Sequence, residues 1–376
     1  MSESLDILLV NWQDLENPLA GGAELHLFEL FRGLVAAGHR VRLVCSGFEG
    51  APSRAVVQGI EVTRISSRYG FALHGRAAVR RAIAERRPDV VVEDINKVPL
   101  YLPSIDPSLP FLALIPHLFG TTAFLELPAP VAALVWASER GIPGAYRRAG
   151  FHAISESTRD DLVARGVAAD RIRVIHPGVD CTYFTPDAVE SRSETPTFLY
   201  VGRLMRYKGI GTAVRGLALA RRSRPDLRLA IAGTGPYRPA LERLVESLGQ
   251  SDAVTFCGRV SEAEKRRLLR STWANVLPSA KEGWGITVME AAACGTPSLA
   301  SDRPGLRDSV RHGVTGLLLP HGDSDALAEQ MLGLAQDPAA VHRLGRAARL
   351  HAEATSWEAA ATATAAHLFD LIARRA

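Results

Sequence analysis

Cysteine, lysine and aromatic side chains are scarce in this chain, and long apolar runs are missing. The 376 residues include four cysteines, Cys45, Cys181, Cys257 and Cys294. Their wide scatter excludes the close pairs that zinc sites and redox motifs use. Buried, reduced thiols in a cytoplasmic protein are the expectation. Aromatics make up 6%, and no basic stripe interleaved with them occurs, so nucleic acid is not an expected partner. No apolar stretch reaches the ~18 residues of a membrane span. The opening Met-Ser-Glu-Ser-Leu-Asp lacks the basic segment and apolar core of a signal peptide. Of the 44 basic residues only Lys97, Lys208, Lys265 and Lys281 are lysines, and the net charge is a modest +4. What remains is the mix of a soluble globular protein, 47% hydrophobic and 22% charged, with a length that suits two domains.

Along the chain, short apolar runs alternate with helical periodicity. Leu5–Val10 reads as a strand, followed by a loop rich in Asn, Pro and Gly. A helix over Glu24–Ala37 puts Leu27, Leu30, Phe31 and Leu34 on one face. Val41–Cys45, Ile60–Arg64, Val90–Glu93 and Phe111–Ile115 read as further strands, and Arg76–Arg87 as a basic helix ended by Pro88. The plan restarts at Thr197–Val201 and continues through Leu227–Ala232, Val254–Cys257, Ala274–Leu277, Ser298–Ala300 and Gly316–Leu319. Alternation of this kind predicts βαβ units and parallel sheets. The fold class is therefore α/β, with two doubly wound Rossmann-like domains facing across a cleft. The expected domains are 1–185, on the acceptor side, and 195–356. Phe184–Pro196 has the composition of a linker, and a last helix over 357–376 is expected to pack back on the first domain. Ligands of open parallel sheets sit beyond the carboxyl ends of the strands.

Three loops at such ends carry the chemistry. Gly21-Gly22 precedes the first helix, where backbone amides and the helix dipole favour an anion; a plain turn that needs two glycines reads the same way. Gly202-Arg203-Leu204-Met205-Arg206-Tyr207-Lys208-Gly209 follows the second domain's first strand. Arg203 offers a planar fork to phosphate oxygens and Lys208 a compact charge. The most informative segment runs from Pro278 to Pro297. Glu282 lies in its loop and Glu290 in its helix, with the amides of Trp284, Gly285, Ile286 and Thr287 at the helix start. The apolar neighbours of Glu290 predict a buried carboxylate with a polar partner.

The stretch Glu282–Glu290 resembles the two-glutamate motif of the retaining glycosyltransferases of family 4, the glycosyl transferases group 1, which have the GT-B fold. The resemblance extends to Pro18–Glu24, Gly38-His39-Arg40-Val41, Val174-Ile175-His176-Pro177-Gly178, Val201-Gly202-Arg203-Leu204, Ile231-Ala232-Gly233-Thr234-Gly235 and Gly313-Val314-Thr315-Gly316. It implies a hexose-type donor, carried as a nucleoside diphosphate sugar, whose diphosphate is gripped by Arg203 and Lys208. It implies that Glu290 binds ribose hydroxyls and that Glu282, with Gly283, holds the sugar. Gly22 would touch the phosphate or the sugar, Gly258-Arg259-Val260 the base, and His117 the sugar. These loops carry no acidic cluster for a divalent metal, so metal independence is expected, and the donor counts as a substrate with no other cofactor expected. Trp284 in place of Phe, His176 in place of Asn, and Ser301-Asp302-Arg303-Pro304-Gly305 in place of paired glycines depart from the commonest pattern.

The loop Glu93–Pro99 suggests acceptor contacts through Asp94, Asn96 and Lys97, where a purely structural loop is the competing reading. The acceptor, whether saccharide, lipid-linked or small molecule, is not named by the residues. The basic amphipathic Arg76–Arg87 suits either a solvated face or peripheral association with anionic lipid at the inner face of the membrane. Two rival functions use the same plan: a nucleotide-sugar epimerase or hydrolase, and a non-catalytic nucleotide-sugar-binding subunit.

Overall fold

The computed structural model describes residues 4–187 and 192–374. They divide into two compact units. One runs to Gly178 and resumes at Trp357; the other spans Val179–Ser356.

The first unit contains β1 (Asp6–Val10), α1 (Gly22–Ala36), β2 (Arg40–Ser46), β3 (Arg54–Val57), β4 (Ile60–Ile65), α2 (Arg68–Glu85), β5 (Val90–Asp94), β6 (Phe111–Ile115), α3 (Ala129–Arg140), α4 (Ile142–Ala145), β7 (Gly150–Ala153), α5 (Glu156–Ala164) and β8 (Ile172–Val174). Its sheet has the order β3-β4-β2-β1-β5-β6-β7-β8. Along β1, Ile7 and Leu9 enter one core with Leu27, Phe28 and Phe31 of α1, while Leu8 and Val10 enter another with Phe71 and Val79 of α2. Burial on both faces is why this strand reads as an unbroken apolar run.

The strands expected from the sequence are present within one or two residues of their ends. The structure corrects the all-parallel expectation at one edge, where β3 pairs antiparallel with β4. Gln58 and Gly59 join them with φ of 50° and 83°, the doubly left-handed turn that a two-residue hairpin needs. The basic helix is also longer than its charge pattern indicates. It starts at Arg68 and ends at Glu85, and Arg86 is already extended. Cys45 and Cys294 are buried as expected, whereas Cys181 and Cys257 are half-buried.

The second unit contains β9 (Thr197–Val201), α6 (Ile210–Ala220), β10 (Arg228–Ala232), α7 (Arg238–Ser247), β11 (Val254–Gly258), α8 (Glu262–Ser271), β12 (Ala274–Leu277), α9 (Ile286–Ala293), β13 (Ser298–Ser301), α10 (Leu306–Ser309), β14 (Gly316–Leu319), α11 (Ser324–Gln336) and α12 (Pro338–Glu353). Its parallel sheet has the order β11-β10-β9-β12-β13-β14. Of the expected linker, residues 188–191 lie outside the described residues. The flanks are part of the second unit: Asp187 pairs with Arg270 at 3.1 Å, and Arg192 donates to the carbonyls of Thr272 and Gly295.

The last helix, α13 (Trp357–Ala373), belongs to the first unit. Ala360, Ala361, Leu368 and Leu371 join the core around α1, and Gly33 leaves room for Ala361. Arg375 and Ala376 of the expected helix lie outside the described residues.

Candidate functional site

In an open parallel sheet the chain reverses its order of strand addition at one point, and loops on either side splay apart there to leave a crevice. In the second unit that point lies between β9 and β12. The loop after β9 carries Gly202, Arg203 and Lys208; the loop after β12 carries Glu282. Lys208 Nζ lies 2.6 Å from Glu282 Oε1, with both side chains largely buried. Burial opposes the charge on Lys208, but the Glu282 carboxylate outweighs it and raises its pKa. Arg203 is exposed beside this pair.

Backbone packing fixes the two loops together. The Ala280 amide donates to the Tyr207 carbonyl at 2.8 Å. Gly209 has φ 68°, and a Cβ there would strike the Pro278 carbonyl. Only glycine combines that backbone conformation with that approach. On the far side, Glu282 N–H reaches the Pro304 carbonyl at 3.4 Å, which brings the unusual Asp302–Gly305 segment against the Glu282 loop. Gly285, φ 98°, caps α9. Gly283, Trp284 and Gly285 are buried; Ile286 and Thr287 keep open surface at the helix start. Arg259, exposed, and Val260 follow β11 two strands away, and the Gly258 carbonyl accepts the Gly233 amide at 2.6 Å.

Glu290 is 3% exposed. Burial raises its pKa, and Lys265 of α8, 2.7 Å from Oε1, works against that rise. Its polar partner is thus Lys265, a lysine of the charged helix α8. Nothing in the sequence marks it: the pairings of Lys97 with Glu24, Lys208 with Glu282 and Lys265 with Glu290 exist only in the fold.

The first unit has its own reversal point, between β1 and β5, and a second polar cluster lies there. Asn96 donates to Asn11 at 2.9 Å, and Lys97 lies 3.1 Å from Gln13 and 3.5 Å from Glu24. The Gly21 amide is already occupied, donating to Glu24 Oε2 at 2.8 Å. The helix-start amides beyond it, those of Gly22 and Ala23, have no partner within α1. Glu93 and Asp94 belong to β5 itself and not to a loop. Glu93 accepts the Leu100 and Leu102 amides and the Tyr146 hydroxyl, and burial lifts its pKa to about 6. Asp94 is sealed from solvent, and burial together with Glu24 pushes its pKa well above the usual range. Of the trio expected on the acceptor side, Lys97 keeps the most open surface. His117 follows β6, half-buried, edge-on to Phe119 at 5.3 Å. Asn11, Gln13 and Glu24 carry no site signal in the sequence, because each is ordinary alone and only the fold gathers them.

Among the described residues no group of three or more His, Cys, Asp or Glu has a metal-binding arrangement, and no helix is long and apolar enough to cross a membrane.

Comparison with known proteins agrees with this architecture. Residues 20–183 match the family model described as Glycosyltransferase Family 4, and residues 184–351 the model described as Glycosyl transferases group 1. The chain belongs to this family. It is 36% identical over 207 residues to a D-inositol 3-phosphate glycosyltransferase of Arthrobacter sp., a match covering 52% of this chain and 49% of that one. The chain spans about half the length of the first such curated relatives. The sucrose-phosphate synthase of Thermosynechococcus elongatus has the same fold, with a TM-score of 0.83, 24% identity and coverage of 98% of this chain and 99% of that one. Anabaena HepE in complex with UDP-glucose gives 0.80, 18%, 97% and 100%. The fold is GT-B, with two Rossmann-like parallel-sheet domains.

Proposed function

We propose that this protein is a hexosyltransferase that moves a sugar from a nucleoside diphosphate donor to an acceptor, retaining the anomeric configuration and using no metal. The observation that carries the reading is the Lys208–Glu282 pair at 2.6 Å, set on the reversal point of the second sheet with Arg203 beside it. A diphosphate brings more than one negative charge to this site, enough to draw the Lys208 ammonium toward it. Glu282, whose Oε1 is the oxygen bonded by Lys208, offers its carboxylate to hydroxyls of the donor sugar. As the C1–O bond breaks, charge builds on the leaving diphosphate, and in this reading Arg203, Lys208 and the amides at the start of α9 stabilise it. Electrostatic preorganisation of that kind is usually the largest catalytic term. The leaving phosphate takes the acceptor's proton on the same face, so Glu282 serves as a sugar ligand and not as a nucleophile. The polar cluster around Lys97 and the half-buried His117 are the acceptor-side and sugar-side groups of this reading. HepE, with its UDP-glucose, supports a nucleotide-sugar donor.

The test is a thermal-shift screen with UDP-, GDP-, ADP- and dTDP-sugars. A true donor at 100 times its Kd adds about 2.7 kcal/mol. Proton NMR of the first-formed linkage then reads the anomeric configuration, and an inverted product removes the retaining mechanism. Rapid turnover of donor without acceptor would favour an epimerase or hydrolase.

We also propose that α2 rests on anionic lipid at the inner face of the membrane. Tyr69 and Leu73 are 86% and 79% exposed, and Arg80 and Arg81 are exposed further along the helix. Arg76 is excluded from this role, because its guanidinium donates to the Leu100 and Tyr101 carbonyls. Liposome co-sedimentation with and without phosphatidylglycerol tests it; equal binding to both ends the idea.

A further inference from the structure

Lys265 is 8% exposed, and its ammonium is boxed on three sides. Glu290 Oε1 lies at 2.7 Å, Glu262 Oε2 at 2.9 Å, and the Phe184 ring face at 5.1 Å. Glu290 Oε2, by contrast, is buried and has no hydrogen-bond partner among the described residues. A buried carboxylate oxygen left unmatched is costly. Here its twin is held by a short charged bond, so the vacancy is specific to one oxygen.

The surroundings single out Lys265. From α8, Lys265 and Glu262 face Glu290, while Arg266 and Arg270 are turned to the Tyr183 and Thr185 carbonyls. From α12, Arg349 donates to the carbonyls of Ala293, Phe184 and Cys181. The strands behind α9 bring the neutral Asn275 and Ser298, which bond each other. Just past the end of α9 stands the Cys294 thiol, which burial pushes to about 12. Lys265 is thus the cation that bonds Glu290 among the described residues.

We propose that Lys265 is a positioning residue that holds Glu290 as a charged acceptor with Oε2 open to the vicinal hydroxyls of the donor's ribose, and so sets a preference for ribo- over 2′-deoxyribonucleotides. The proposal rests on the donor-binding reading of Glu290. The chemistry follows from the direction of the hydrogen bonds. Ribose hydroxyls donate most strongly to an ionised carboxylate. Burial by itself drives Glu290 toward its neutral form, and Lys265 opposes that drift. Burial also opposes the charge on Lys265, but Glu290 and Glu262 outweigh it and raise its pKa. Without the ammonium, burial would act on Glu290 unopposed, shifting it toward the neutral form and loosening its orientation.

The experiment is calorimetric titration of the full chain with UDP, GDP and ADP and with dUDP, dGDP and dADP, from pH 6 to pH 9. In the wild type the best-bound ribonucleotide is expected to exceed its deoxy form by about tenfold, the worth of one hydrogen bond to a charged group, with a ratio level across pH. Lys265→Met should bring the ratio toward one at pH 6 and recover it as pH rises and Glu290 ionises. Lys265→Arg should keep the ratio at pH 6. A lysine of merely structural importance would weaken ribo and deoxy forms alike at every pH, and that result overturns the proposal. So does tighter wild-type binding of the deoxy form. If Lys265→Met does not fold, Lys265→Gln removes the charge at similar length and is read the same way. Glu290→Gln separates the two levels. An unchanged ratio in Glu290→Gln defeats the ribose role of Glu290 itself. A collapsed ratio there, with a wild-type ratio in Lys265→Met, defeats only the role of Lys265.

Discussion

Lys208 and Glu282, 74 residues apart in sequence, meet at 2.6 Å and join the two loops that flank the reversal point of the second sheet. The two side chains form a largely buried ion pair. On the proposed donor-binding reading, a diphosphate competes with Glu282 for the Lys208 ammonium, which ties its capture to the position of the Glu282 carboxylate.

Removing the ammonium should be costly to turnover. Lys208→Ala is expected to lower kcat/KM by 10²–10³, about 2.7–4 kcal/mol, as for a preorganised donor to a developing anion. Arg203→Ala should act in the same direction, with a larger share in donor KM, because Arg203 is exposed and in the proposed reading meets the diphosphate in the ground state. Steady-state kinetics with the donor found by thermal shift measures both, and near-wild-type turnover in either refutes its role.

Gly209→Ala should damage the site without touching a charge. The new Cβ meets the Pro278 carbonyl, and φ 68° is strained for alanine. A loss of about 1–3 kcal/mol in urea-denaturation stability is expected, with donor affinity falling alongside, since the same loops carry Lys208 and Glu282.

The loop that leads to Gly21 and Gly22 hangs on a buried ion pair. Arg64 and Asp14 have side-chain exposures of 1% and 0% and meet at 2.8 Å; Arg64 also reaches Glu16 at 2.6 Å. Asp14→Ala strands a buried guanidinium and should cost about 3–5 kcal/mol. Chemical denaturation gives the number. A loss below 1 kcal/mol would mean that Glu16 alone satisfies Arg64.

The first unit should be acid-sensitive through histidines. His26 and His152 lie 6.0 Å apart, and His26 is 5.9 Å from Trp357 of α13. Burial lowers them from 6.5 to about 4 and about 3. The unfolded chain binds these protons below about pH 6.5, the folded one only near pH 4 and below. Their contribution is therefore complete above pH 6.5 and declines as pH falls, by up to about 1.4 kcal/mol per pH unit for each histidine. Neither ring nitrogen of His26 has a hydrogen-bond partner among the described residues. His26→Leu should leave stability at pH 7 unchanged or higher, and make the decline between pH 6.5 and pH 4 shallower by about one proton. Urea melts across that range decide it; an identical slope contradicts the assignment.

Much of the fold was legible because its strands are buried on both faces. Ile7 to Val10 needs no partner to be recognised as a strand, since every position must be apolar. The hairpin at Gln58-Gly59 was not legible, because Gln58 in a left-handed conformation is not a residue that announces a turn. Short β7 and β8, Gly150–Ala153 and Ile172–Val174, gave too few positions for a period to emerge. At the site, Arg203, Lys208, Glu282 and Glu290 stood out by type and spacing. Lys265 did not, because a lysine in a charged helix looks solvated until α9 is laid against it.

Composition and local pattern determined that this chain would build two α/β units, with glycine-rich and charged loops at the carboxyl ends of their strands. Only tertiary structure decided the pairings: Lys208 with Glu282, Lys265 with Glu290, and α13 against α1. The reason is that hydrophobic periodicity is a property of neighbouring residues, whereas the charge state and reach of a carboxylate depend on which distant cation is packed beside it and how little water remains there.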